Sequence, residues 1–442
     1  MQRPVCLSFS SGGFMQMRHA FGASLSVLAA GMVLAGMSSP AYASWSDEGT
    51  SAGLQCSSAD VNDSAIAVGN CLSGTFIREG FVAATLGKPV PLAPLTTNGN
   101  GGEACTVGGI NNALLPSAII VGSCEDANSV PQAVFWNAGN PAITPTQLQP
   151  LPGIAGLLAD VQTIETAVNQ QGNIVGTSIN GNEDATPVIW NAAGTPTALP
   201  AALLGSVTNC VPVDINDAAP PSIVGNCPAG AGGGGKNVAV LWLTSTSAPL
   251  ILFKPSGASY CTAKKINTSG QILGECFYLG TNGATPDTFR TVEWGSGGSG
   301  PTVLMTINGN TSLRNVGVDM NASGQVAGTR LIAGGYTSAF YWDPSKGTNA
   351  TPIDQLPGGS RAGAAGIADN GVIIGNGEAN GVNEAYVWHA SNGTLTPIAP
   401  LQSGGNDGVR AIAKSGGFIA GASETSHDGT GEEVDAVEEV TP

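Results

Sequence analysis

Asn315-Val-Gly-Val-Asp-Met-Asn-Ala-Ser-Gly-Gln-Val-Ala-Gly-Thr329, and then Ser338-Ala-Phe-Tyr-Trp342, form the unit that the rest of this chain repeats with variations. Small or apolar residues recur at alternate positions on both sides of Asn321-Ala-Ser-Gly324, the period-two pattern of two strands around a tight turn. Asn can bond its own backbone two residues on, and Gly tolerates positive φ, so Asn-x-x-Gly suits the reversal. Gly328 lies late in the second strand, where the lack of a Cβ lets another backbone or a bulky ring come close. Phe340 and Trp342 fall on one face of the next strand and could supply that ring.

The hairpin Gly returns at Gly69, Gly122, Gly176, Gly225, Gly274, Gly328, Gly375 and Gly421, at intervals of 46 to 54 residues. A Trp ends the third strand in six units, at Trp136, Trp190, Trp242, Trp294, Trp342 and Trp388, and Phe81 is expected in that place in the first unit. A fourth segment, such as Thr394-Leu-Thr-Pro-Ile-Ala-Pro-Leu401, runs into a Gly-rich link. Four short strands in each repeat, without helical periodicity, predict an all-β chain folded as a β-propeller of four-stranded blades. Seven units are complete and an eighth stops after its first hairpin, so seven blades are expected, with eight as the alternative. A β-helix would repeat roughly every 20 to 30 residues.

Residues 1–19 carry Arg3, Arg18 and His19, residues 20–37 are apolar or small, and Ala41-Tyr42-Ala43 follows. This reads as a signal peptide, 1–43, cut after Ala43, and the mature chain is expected to be secreted or periplasmic. No later run is long enough to insert in a membrane. Beyond Cys6, the cysteines fall into local pairs: Cys56 with Cys71, Cys105 with Cys124, Cys210 with Cys227, and Cys261 with Cys276. Each second member lies two residues past the hairpin Gly, and an antiparallel hairpin brings such outer positions opposite each other. Four intra-hairpin disulfides are expected. A formal charge of −16 disfavours nucleic acid and anionic membranes as partners.

Asp319-Met-Asn-Ala-Ser-Gly-Gln-Val-Ala-Gly328, Ser338-Ala-Phe-Tyr-Trp342 and Asp354-Gln-Leu-Pro-Gly-Gly359 resemble the bacterial extracellular repeat family known as HAF repeats, over about residues 56–423. The family resembles kelch-like propellers in strand order, and the resemblance implies fold and export rather than a reaction. The cysteine pairs and Ala219-Pro-Pro221 depart from its pattern.

No catalytic constellation stands out. His389 follows a blade Trp and His427 lies in the polar tail, so neither suggests a nucleophile's base. Glu165, Glu183, Asp184, Glu275, Glu293, Glu378 and Glu384 lie off the repeat positions, and nothing singles out a glycosidase pair among them. Lys264-Lys265 is the lone adjacent basic pair. Asp60-Val-Asn62-Asp63, Asp214-Ile-Asn216-Asp217 and Asp319-Met-Asn321 resemble fragments of calcium loops, but Asn also suits the turn, and no metal or cofactor is expected. The Trp series is expected in the core between blades, with a sugar-stacking platform as the alternative. Gly232 to Gly235 lacks the ending of a phosphate loop. The propeller is expected to span 44–423 as a monomer, before a disordered acidic tail, 424–442. The expected function is binding or scaffolding of an extracellular polysaccharide or protein through the loop faces. The alternative is a carbohydrate-active enzyme with carboxylates at the central channel, which would gather non-repeated charged side chains at one channel mouth.

Overall fold

The computed structural model describes residues 43–44, 46–49, 55–72, 78–84, 87–95, 104–153, 159–200, 209–229, 236–280, 287–311, 314–403, 405–425 and 433–440. The expected leader up to residue 42, Gly232 to Gly235 and His427 lie outside them. The described residues form seven hydrogen-bonded sheets, within which eight antiparallel four-stranded units recur. Their first strands are Gln55–Val61, Cys105–Ile110, Asp160–Val168, Val211–Ile215, Tyr260–Ile266, Arg314–Met320, Ala362–Ile367 and Asp407–Ile412, which open blades 1 to 8 in that order. Within a blade the chain steps outward strand by strand, and each blade packs against the next, blade 8 against blade 1.

Seven blades were expected with eight as the alternative, and the eighth four-stranded unit is completed by segments from near both ends of the described chain. In blade 8, Phe418–Thr425 pairs with Glu433–Val440, which pairs in turn with Ser46–Gly49. The segment expected to be a disordered tail therefore supplies a strand. Val434, Val437 and Val440 recur through this strand, and their β-branching favours extended backbone.

Every first strand carries a register shift beside the residue that pairs with the repeat Gly. This bulge pushes a first-strand carbonyl over the Gly. A Cβ on any of the eight glycines would lie 2.0–2.6 Å from that oxygen. In six blades an aromatic ring closes the other side, from Phe81, Trp136, Trp242, Trp294, Phe340 or Tyr386. Phe81 pairs with Gly69 as Phe340 pairs with Gly328, so Phe81 holds the Phe340 position and not, as expected, that of the Trp. Ala83 stands in the Trp place.

The six Trp side chains are 0–5% exposed, which removes the stacking-platform alternative. Four of them donate the indole N–H to a carbonyl of the preceding blade's link: Trp136 to Ala93, Trp190 to Gln149, Trp242 to Pro200 and Trp294 to Phe253. All four expected disulfides are present, with Cα–Cα distances of 4.0–4.1 Å. In blades 3, 6, 7 and 8 the cysteine places are taken by Thr163 and Ser178, Asn315 and Arg330, Ala362 and Gly377, and Asp407 and Ser423. Thr163, Asn315 and Asp407 instead accept a backbone N–H from the preceding blade, at Ala133, Thr291 and Ala385.

Replacing Gly176 by Ala, whose Cβ would meet the Ile164 oxygen at 2.0 Å, is expected to lower stability by about 2–4 kcal/mol in denaturant unfolding. Gly300, with nothing within 4 Å, should accept Ala within about 0.5 kcal/mol.

Candidate functional site

The turn after each first strand begins with a buried Asn in six blades: Asn62, Asn111, Asn169, Asn216, Asn267 and Asn321. Each Oδ1 accepts N–H groups of its own turn, as at Ile119, Asn173 and Gln271. Each Nδ2 donates to the carbonyl of the equivalent residue one blade on, at 3.0–3.3 Å, and the series runs from Asn62 to Ala368. Ala368 and Ala413 lack the amide, and there the backbone of Asp369 donates to Lys414 O while Ser415 N reaches Asp63. This lattice fixes one mouth of the central channel.

Two residues before each of these turn positions stands the residue that follows the bulge. Around the ring these are Asp60, Gly109, Ala167, Asp214, Lys265, Asp319, Gly366 and Ala411. All eight line a cavity of about 680 Å³, together with Glu165, Arg410, Asp217 and Lys414. Asp60, Asp214 and Asp319 each accept a backbone N–H from the next blade, at Ile110, Ile266 and Ile367, at 2.8–3.1 Å. Lys265 Nζ lies 3.9 Å from Asp319 Oδ1. Asp319 first, then Asp214 and Asp60, raise the Lys265 pKa and hold it charged. Burial pushes the carboxyl pKa of Asp60 and Asp214 up, against the pull of Lys265 and of their backbone donors. The acids read as calcium-loop fragments thus surround a cation carried by the chain itself. No group of three or more metal-ligating side chains is present among the described residues.

Lys414 spans the mouth from blade 8 to Asp217 of blade 4, four blades away, with Nζ–Oδ2 at 2.8 Å. Glu165 differs from the other acids. Burial raises its pKa to about 7, and no salt bridge among the described residues offsets this. Its Oε1 lies over Gly108, and Asp60 Oδ2 over Gly109, so that a Cβ on either glycine would be 3.5 or 3.1 Å away. The glycine pair in blade 2 lets each carboxylate oxygen approach the backbone.

The other acids singled out from the sequence do not line this cavity. Glu275 pairs with Lys264 at 3.1 Å, Glu293 accepts from Gln271, Glu378 accepts from Ser360, and Asp184 from Asn180. Glu183 lies in the turn between two strands of blade 3, and Glu384 in the third strand of blade 7. His389 ends that same strand. Lys265, Arg410 and Lys414 were missed as channel residues. For Lys265 the signal that could have found it is the column two residues before the turn Asn, where the repeat stops repeating, whereas Arg410 and Lys414 lie beside that column and leave no such signal.

No protein-family model matches the chain, and no curated protein matches it. Among solved structures, the Dos1 propeller is similar over 90% of this chain and 94% of that one, with 9% identity and a TM-score of 0.50. Oligogalacturonate lyase in complex with manganese aligns over 88% and 96%, with 10% identity and a TM-score of 0.45. The putative TolB from Agrobacterium tumefaciens aligns over 56% and 80%, with 10% identity and a TM-score of 0.37. At such identities the likeness concerns the fold alone, and the Dos1 alignment agrees with a β-propeller.

Glu165 keeps its proton to about pH 7 in the folded chain, against an ordinary value of 4.5. Stability from that proton is full below pH 4.5 and lost as pH rises through 7. Glu165→Gln is therefore expected to match the parent near pH 4.5 and to exceed it at pH 8, by at most about 3 kcal/mol in denaturant unfolding. Equal stability at pH 8 would mean that the carboxyl is fully hydrated.

Proposed function

We propose that this chain is an exported propeller that binds an extracellular polysaccharide at the mouth of its central channel. The observation that carries the reading is the break in the repeat there. Asp60, Asp214, Lys265 and Asp319 hold equivalent places in blades whose partners at that place are Gly or Ala. A purely structural ring has no need of such differences. The cavity is polar, narrow and spanned by Lys414, which suits the end of a sugar chain better than a folded protein. Its carboxylates favour a hydroxyl-rich ligand over a polyanion. Four disulfides fit an oxidising compartment, and the leader and the HAF-like motifs support export.

A second reading is favoured by Glu165. A carboxylic acid protonated to about pH 7, lining the same cavity as Asp60, has the character of a glycosidase general acid.

A panel of bacterial and plant polysaccharides incubated with the mature chain, scored for retention and for released product, tests both. Retention without product is the expected outcome. Product that disappears in Glu165→Gln would replace binding by hydrolysis. Neither retention nor product would sink both readings and leave a protein partner.

A further inference from the structure

Far from the channel mouth, the face of blade 5 turned toward blade 6 carries a ladder of rings. Tyr260 pairs across the strands with Phe277, centroids 5.2 Å apart, and Phe277 with Phe289 at 5.0 Å. All three rings are half-buried. The guanidinium of Arg314, exposed at the start of blade 6, lies 5.0 Å over the Phe289 ring. Two residues along from Phe289, the backbone N–H of Thr291 donates to Asn315 Oδ1 at 2.8 Å, and Asn315 stands opposite Arg330.

Thr291 Oγ1, Asn315 Nδ2 and Arg330 Nε are shielded from water and have no hydrogen-bond partner. Thr291 and Asn315 are 0% and 1% exposed. In blades 1, 2, 4 and 5 a disulfide fills the place of Asn315 and Arg330. Substituting polar donors for that closed bridge is unfavourable unless an acceptor enters. Neither Arg314 nor Arg330 is in an ion pair with a described residue. Burial alone lowers the Arg330 pKa, with no carboxylate to offset it. Glu275, across the strands from Thr291, is already paired with Lys264. The seam thus joins an aromatic floor to a wall of unanswered donors.

We propose that this seam is a second binding site, for an acidic saccharide whose pyranose ring lies against the Phe277 ring and whose carboxylate turns to Arg314 and Arg330. Ring faces take the apolar side of a sugar, and guanidinium forks match a carboxylate. The site is independent of the channel, and its ligand carries the opposite preference in charge.

Calorimetric titration of the full mature chain with a short uronic acid oligomer tests it. Binding is expected, roughly 10- to 100-fold weaker in Arg314→Ala and in Arg330→Gln. It should be about tenfold weaker in Phe277→Ala and for a neutral oligomer of the same length. Glu165→Gln, in the channel, should leave it unchanged. Arg314 is exposed, so its variant keeps the fold, and thermal unfolding of each variant checks this. Absence of binding, or loss in Glu165→Gln with none in Arg314→Ala, would overturn the proposal. So would competition by acetate or sulfate at equal concentration with no effect of Phe277→Ala, which describes a bare anion site.

Discussion

The buried amide of the turn Asn is the interaction on which the rest depends. One end closes the hairpin of its own blade and the other grips the next blade, so local folding and ring assembly share a single side chain. An amide with both ends satisfied in the interior is stabilising, and half-satisfied it is costly. The hairpin therefore has its full stability only when the neighbouring blade is in place. The indole N–H groups repeat this arrangement at the outer side of the ring, and the bulge with its glycine shapes the inner side.

Much of this was legible in the sequence because it is periodic. The spacing of Gly69 to Gly421 marked the blades, and the step from each Gly to its cysteine marked the disulfides. The close approach of a backbone and a ring to the Gly was legible, but the bulge that brings the carbonyl there was not, because it belongs to another strand and leaves no residue signature. Asn321 was read as a turn former, which accounts for its Oδ1. Its Nδ2 partner lies 47 residues away in the chain. The eighth unit was legible through its first hairpin and left as the alternative, because its fourth strand lies near the opposite end of the chain from its other three.

The channel was hard to read for the opposite reason. A repeat directs attention to positions that recur, whereas Asp60, Asp214, Lys265 and Asp319 matter where they differ from Gly109 or Ala411. The Asp-x-Asn phrases resembled cation loops, and the resemblance is chemically apt, since three carboxylates do converge electrostatically on a cation. That cation is Lys265, from blade 5, placed between two of them in ring order. A covalently held ammonium offsets part of the carboxylate charge at the mouth without depending on the supply of ions.

Blade 8 joins Ser46–Gly49 to Glu433–Val440, so segments far apart in the sequence are strand neighbours. The ring then has no structural beginning. The link between blades 2 and 3 is a site at which the polymer could be opened and the segments joined in blade 8 fused, because the Asn111 amide and the Trp190 indole hold the seam across it. Circular order, rather than linear order, is what this sequence encodes.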